Sequence, residues 1–305
     1  MVGTAERPHN STPLAALKSS LQHPCFSGEA NANRGRIHLP VSPRCNIQCR
    51  FCRRSFNKFE NRPGVSAKLL EPKDAVDLVR RSLELCPEIT VAGIAGPGDT
   101  LATHHAIATF EILHREYPGL INCLSTNGLL LERYAGDLHR VGVKTLTVTV
   151  NAVDPVILDR ICSAVIYDGK AYSGVEGASI LIEAQKRGIK KAAELGLVIK
   201  INIVLIPGVN DEHIAAIAET AGGLGASIIN IIPLIPQHEF AGHESPDCTI
   251  LDGARREAER FLPVFRHCQH CRADAIGIPG RGDISSLVYG DEEQRVSVEE
   301  TFSHG

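Results

Sequence analysis

Alternating apolar and polar positions divide most of the chain into strand–helix pairs. Residues 36–42 (RIHLPVS) read as a short strand. Over residues 71–86, Ala75, Val79 and Leu83 recur at helical spacing with Leu78 beside them, which predicts a helix. A buried-type strand follows at 89–95 (ITVAGIA), then a helix near 104–116, a strand at 120–124 and a helix near 129–139. Residues 144–150 (KTLTVTV) alternate as a strand does, and a helical region then runs in pieces to about residue 195. The last units are a strand at 198–205 with a helix at 211–224, and a strand at 227–232 with a helix at 251–265. Six such pairs predict a parallel sheet with helices outside, as an α/β partial barrel or an open doubly wound sheet.

Chemistry-bearing residues follow each predicted strand. Cys45–Cys52 come after the first, Gly96, Pro97, Gly98 and Asp99 after the second, and Ser125, Thr126, Asn127 and Gly128 after the third. Asn151 follows the fourth, Pro207 and Gly208 the fifth, and Pro233–Pro236 the sixth. Any one of these suits an ordinary turn. Repeated after every strand, they mark a ligand-binding end, since α/β sheets bind ligands at the carboxyl ends of their strands.

Composition narrows the class. Of 305 residues, 43% are apolar, enough for a packed core, so global disorder is excluded. No apolar run approaches the roughly 20 residues of a membrane span, and the first 25 residues lack the apolar stretch of a secretory signal. A net charge of −3 asks for neither nucleic acid nor an anionic membrane. These features predict a cytoplasmic protein, with residues 1–22 and 281–305 as polar tails around one domain at 23–280.

Ten cysteines change the picture. Cys45, Cys49 and Cys52 form a C-x3-C-x2-C group, and Cys268 and Cys271 a second group. Cys86 and Cys162 sit in apolar patterns and read as core. Three thiolates hold three irons of a [4Fe–4S] cubane and leave the fourth open. A zinc site completed by His38 or Cys25 is the alternative for the triplet.

The triplet, with Phe51 before its last cysteine, resembles the radical SAM superfamily. The resemblance implies a partial (β/α)6 TIM-like barrel with N- and C-terminal extensions. It also implies that a cluster on Cys45, Cys49 and Cys52 binds S-adenosylmethionine (SAM) and cleaves it to a 5′-deoxyadenosyl radical. Gly96, Gly98 and Asp99 then correspond to the segment receiving the methionyl amine. Thr126, Asn127, Thr149 and Asn151 stand where carboxylate and ribose are contacted, and Ile206 where adenine packs. A side chain at Gly98 is expected to obstruct SAM without disturbing the cluster.

The order of motifs is more specific. His23-Pro24-Cys25, CNIQCRFC at 45–52, Glu60-Asn61-Arg62-Pro63, AGPGD at 95–99, STNG at 125–128, IYDGKAYSG at 166–174, IPGVND at 206–211 and CQHCRADAIG at 268–277 occur in sequence. That order resembles the nitrogenase cofactor maturases within the superfamily, in a stand-alone form without a carrier domain. Such enzymes fuse two [4Fe–4S] substrate clusters and insert a SAM-derived carbon and a sulfur to give an eight-iron precursor. By this resemblance the partners are a cluster donor, a cofactor carrier and a ferredoxin- or flavodoxin-like reductant. Glu60 and Arg62 become candidates for contact with SAM or a substrate cluster, or else form a surface ion pair. Cys123, Cys268 and Cys271 are expected to hold a second cluster; zinc on Cys268 and Cys271 with His267 or His270 is the alternative. Residues 31–33 contain no His and 53–61 no Cys, so a site at Cys25 lacks its usual partners unless His23 or His38 replaces them. An enzyme of this type with another substrate, and a non-catalytic iron–sulfur carrier, are the remaining alternatives.

Overall fold

The structure, a computed structural model, describes residues 14–290. Its frame is a sheet of six parallel strands in sequence order: β1 (Gly35–His38), β2 (Ile89–Ile94), β3 (Ile121–Thr126), β4 (Val143–Thr149), β5 (Val198–Leu205) and β6 (Ile228–Pro233). A short strand β7 (Ile276–Gly277) joins β1 antiparallel, with Arg36 opposite Gly277. Each parallel strand leads to a helix: α1 (Pro72–Leu85), α2 (His105–Glu116), α3 (Leu131–Arg140), α4 (Gly174–Glu194), α5 (Ile214–Gly223) and α6 (Cys248–Glu259). The partial (β/α)6 barrel expected from the sequence is therefore observed.

Strand alternation sorts the residues. Ala92, Ile94, Leu124, Leu146, Val148, Ile199, Ile201, Ile203, Ile229 and Ile231 join the main core beneath the helices. Their neighbours Val91, Gly93, Cys123, Ser125, Thr147, Thr149, Lys200, Asn202, Asn230 and Ile232 line the barrel interior. One face of the sheet thus builds the core, and the other, largely polar, builds a cavity.

Several elements differ from the sequence expectation. The first strand ends at His38, and residues 39–71 form the long connection that carries the cysteine triplet. The region read as helix between 151 and 195 contains a hairpin, Cys162–Tyr167 with Lys170–Tyr172, whose Asp168-Gly169 turn has φ of +49° and +76°. An Asp-Gly pair between apolar runs makes such a turn because both central residues need positive φ. The hairpin pairs antiparallel with Ile47–Cys49 and so fixes the triplet's loop. Helix α6 starts earlier and ends at Glu259, since the chain after it turns so that Val264 bridges to Ile229. A helix at Leu14–Leu21 stands in the segment read as the N-terminal tail. Past residue 280, a helix at Ser285–Tyr289 buries Val288 and Tyr289, so the packed body reaches beyond the boundary read at 280. The remaining tail residues, 1–13 and 291–305, lie outside the described residues. No described helix is long and apolar enough to cross a membrane.

Candidate active site

Two cavities adjoin: the first lies at the carboxyl ends of the strands and the second runs along the barrel interior. The first, about 190 Å³, is lined by Cys45, Cys49, Phe51, Pro97, Gly98, Asp99, Thr126, Asn127, Thr149 and Asn151, with Cys162 and Gln185. The loop that carries the triplet is tightly tied. Gln48 Nε2 donates to the carbonyls of Cys49 and Cys52, at 3.0 and 3.3 Å, and Cys52 N to Cys49 O at 3.0 Å. Gly98 N donates to Ser42 O and Asp99 N to Arg44 O, each at 2.8 Å, which presses the glycine-rich loop against the cysteine loop.

Gly98 is needed for this approach. A Cβ there would lie 2.1 Å from Arg44 O, so a side chain would displace the triplet's own backbone. This corrects the expectation that a side chain at Gly98 would obstruct SAM alone. Gly96, at φ +124°, precedes Pro97 on the same loop.

Asp99 ties strand ends together. Its carboxylate accepts from Thr126 Oγ1 at 3.0 and 3.1 Å, from Asn127 N and from Leu101 N. Burial pushes its pKa above the usual carboxylate range, against these hydrogen bonds, which pull it down. Asn127 Nδ2 donates to Asn46 Oδ1 at 2.6 Å and approaches Cys45 Sγ at 3.9 Å. Asn151 Oδ1 accepts from Val204 N, and Asn210 Nδ2 donates to Asn151 O and Val204 O, all at 2.9 Å.

The thiols are neutral without metal. Burial raises Cys45 to about 12, with Asp99 adding to the rise, and burial raises Cys52 as well. Cys49 is pushed up by its hydrogen bond to Cys162 and by burial; the two face each other across the antiparallel pair. Iron binding supplies the positive charge that thiolates require. Among the described residues no three His, Cys, Asp or Glu side chains converge on a single ion position. Cys45 and Cys49 line the first cavity and Cys52, outside both linings, follows on the same short segment; three thiols so spaced are a donor set that suits a cubane.

The second cavity, about 290 Å³, contains Cys25, Cys123, Cys268 and Cys271, and shares Phe51, Ala95, Ser125 and Thr149 with the first. Cys123 lies mid-strand on β3 with its side chain in the interior, rather than at the strand's carboxyl end. Burial raises Cys25 to about 12 and also raises Cys123. Arg36 Nη2 sits 3.1 Å from Cys271 Sγ.

The two histidines considered as partners of Cys25 differ. His38 Nδ1 lies 3.0 Å from Arg272 O, so it carries the proton and leaves Nε2 with a lone pair. His23 Nδ1 instead accepts from Cys25 N at 3.0 Å, so Nε2 carries the proton and is buried without a partner. Both are held neutral by burial, His38 at about 4 and His23 well below its ordinary value. Asn31, where a histidine was sought, lines this cavity and donates to Pro24 O.

Three sequence candidates fall elsewhere. Ile206 is fully buried in a core cluster with Leu158, Ile161 and Leu181 and lines neither cavity. Glu60 lies in a separate surface cleft with Arg272, Asp274 and Tyr289. Arg62 donates to Glu60 Oε2 at 2.6 Å, Arg53 O at 2.6 Å and Ser55 Oγ at 2.9 Å, which organises the loop after the triplet. Slight burial raises the Glu60 pKa, but the hydrogen bonds from Arg62 and Asn57 outweigh it and hold the carboxylate low.

Residues not singled out from the sequence also shape the site. Gln185 reaches from α4 to donate to Asn127 O at 2.7 Å and Thr149 O at 2.9 Å. Lys200 and Asn202 enter the interior from β5; two polar residues two apart in the apolar run VIKINIVL were the available signal.

A partial α/β barrel with a C-x3-C-x2-C loop above its strand ends defines the class: a radical SAM enzyme, with a [4Fe–4S] cluster and SAM as its cofactors. The sequence pattern of the Radical SAM superfamily matches residues 39–221. The fold is similar to that of Streptococcus suis SuiB bound to S-adenosylmethionine, with a TM-score of 0.54 at 14% identity over 77% of this chain and 51% of that one. It is also similar to methylornithine synthase (PylB), with a TM-score of 0.51 at 14% identity over 86% of this chain and 72% of that one. Sequence relatives are nearer. The FeMo cofactor biosynthesis protein NifB of Methanocaldococcus infernus is 49% identical over 84% of this chain and 85% of its own. That of Methanocaldococcus jannaschii is 46% identical over 92% and 95%. For Klebsiella pneumoniae the figures are 43%, 88% and 59%, so this chain spans little more than half of that longer protein. The chain belongs to the NifB family.

Proposed function

We propose that this protein is a nitrogenase-cofactor maturase, fusing two [4Fe–4S] substrate clusters with a SAM-derived carbide and a sulfur into the eight-iron precursor. The observation that carries the reading is the pair of adjoining cavities with a common wall at Phe51, Ala95, Ser125 and Thr149. One joins Cys45 and Cys49 of the triplet to the polar strand ends; the other gathers four thiols from three distant segments. Kinship with proteins named for FeMo cofactor biosynthesis supports the same assignment.

When bound on Cys45, Cys49 and Cys52, the cluster supplies the electron that splits the sulfonium of SAM. The chain's own residues do the rest. Asp99 draws the Gly96–Asp99 loop to Thr126 and Asn127, and these three with Thr149 and Asn151 form the polar wall that orients SAM. Phe51 stands between the cavities and positions the reacting ends of each. Cys123, Cys268 and Cys271 hold one substrate cluster, and Cys25 with His38 Nε2 offers a thiol and an imidazole to another. The segment bearing Cys268 and Cys271 covers this cavity and excludes water from reactive species. The reaction needs a donor of clusters, a carrier for the product and a ferredoxin- or flavodoxin-like reductant.

A non-catalytic carrier has no use for the polar wall of the first cavity. The test is anaerobic: dithionite-reduced protein with methyl-labelled SAM is expected to release 5′-deoxyadenosine and to incorporate label into an iron–sulfur product. No 5′-deoxyadenosine from cluster-replete protein would support the carrier; release without label in a cluster would point to another substrate. Cys49→Ala is expected to abolish release, and retained cleavage in that variant would remove the triplet from its assigned role.

A further inference from the structure

The interior of the second cavity contains a cation that, among the described residues, no carboxylate accompanies. Strand alternation turns Lys200 inward between the core residues Ile199 and Ile201, and the residue is only 5% exposed. Its Nζ donates to the carbonyl of Cys25 at 2.9 Å and lies over the rings of Phe26 and Phe265, at 4.9 and 5.3 Å from their centroids. No carboxylate of the described residues forms an ion pair with it. A carbonyl and two ring faces compensate an ammonium only in part, so leaving it dry and unpaired is unfavourable.

The groups around it point the same way. His23 Nε2–H lines the cavity, 2% exposed as a residue and without an acceptor. Arg36 Nη2 sits beside Cys271 Sγ at 3.1 Å. The charge of Lys200 is felt at Cys25, Cys123 and His23. A cation and an unpartnered N–H donor thus face a space that four thiols line, with no carboxylate among its lining residues.

We propose that Lys200 is the buried counter-charge of this cavity, binding an iron–sulfur guest of net negative charge, with the unpartnered His23 Nε2–H as a neutral donor beside it. The inference rests on the reading of the cavity as a substrate-cluster site. A [4Fe–4S] core held by three thiolates carries net negative charge. An ammonium fixed in the wall favours that guest over a neutral or cationic one and stabilises its reduced, more negative state. Lysine serves here as a compact point charge that needs no planar partner.

The experiment compares wild type, Lys200→Met and Lys200→Arg as full-length protein, reconstituted anaerobically with ferrous iron and sulfide. Iron per chain, release to a chelator and the cavity cluster's midpoint potential are measured, together with melting of the cluster-free proteins. In Lys200→Met the cavity cluster should be released about tenfold faster and its potential should fall, while Lys200→Arg restores retention. Cluster-free Lys200→Met should melt at or above the wild-type temperature, because it loses an uncompensated buried charge. A clear fall in that melting temperature would make Lys200 a structural residue and overturn the proposal. Wild-type release and potential in Lys200→Met would overturn it and leave the substrate-cluster reading standing. A wild-type chain that takes up the triplet's cluster alone would refute that reading, and this inference with it.

Discussion

Asp274 is the residue through which the C-terminal segment grips the rest of the molecule. It is 1% exposed, and its carboxylate accepts from Arg272 Nε at 2.8 Å, Arg272 Nη2 at 3.0 Å and Ala67 N. Arg272 in turn donates to Glu60 O and to Asn57 O at 2.8 Å, which pins the loop after the triplet. Asp274→Ala would strand the guanidinium in a dry environment and leave the Ala67 N–H unpaired. Breaking a buried ion pair from one side costs about 3–5 kcal/mol. At about 2–4 °C per kcal/mol for a chain near this size, melting should fall by roughly 10 °C. The loss should also be selective. Cys268 and Cys271 lie immediately before this pair, so the cavity cluster should be lost while the triplet's cluster stays. Melting of the cluster-free variant by circular dichroism, with iron counted after reconstitution, measures both effects. An Arg272→Met/Asp274→Leu double variant should recover much of the stability, since no charge is then stranded. Melting of Asp274→Ala within about 2 °C of wild type, or a full set of clusters, would refute the reasoning.

Three further outcomes follow from the same geometry. Gly98→Ala should lower both SAM binding and the triplet's iron content, because its Cβ would meet Arg44 O; normal iron with weakened SAM would return the loop to a purely ligand-facing role. Gln185→Leu leaves the Asn127 and Thr149 carbonyls without their donor, so stability should drop by about 2 kcal/mol and calorimetry should show weaker SAM binding; no change in either would contradict it. Cluster-free protein should lose stability as pH falls below about 6.5 toward 4. Folded His38, held at about 4, binds its proton later than the unfolded chain does, a loss of about 2 kcal/mol by pH 5. His23 acts in the same direction, and urea midpoints at pH 7 and pH 5 should differ less in His38→Gln.

Much of the frame was legible from the chain alone. The six strand–helix pairs appear where apolar periodicity set them, because a parallel strand buried on both sides and an amphipathic helix leave different patterns. The triplet and the motifs after each strand were also legible, the triplet from its spacing and the motifs from their recurrence, since any one of them alone suits an ordinary turn. Less legible was the hairpin at Cys162–Tyr172: its Asp168-Gly169 turn signal was present, but it lay inside a region dominated by helical spacing.

The sequence by itself determined the class of fold, the cluster-binding loop and the inventory of thiols, because local spacing specifies each of these. Tertiary structure decided which thiols meet. Cys25, Cys123, Cys268 and Cys271 share one cavity because strand alternation turns Cys123 inward and the bonds of Arg272 and Asp274 to Asn57, Glu60 and Ala67 hold the C-terminal segment in place. It also decided that Gly98 serves the backbone of Arg44, that Glu60 faces another cleft, that Ile206 belongs to the core and that Lys200 sits among the thiols. These facts depend on contacts between residues far apart in the chain. A pattern of period 2 or 3.6 says which face a side chain takes, and only the closed packing of all the elements says what that face meets.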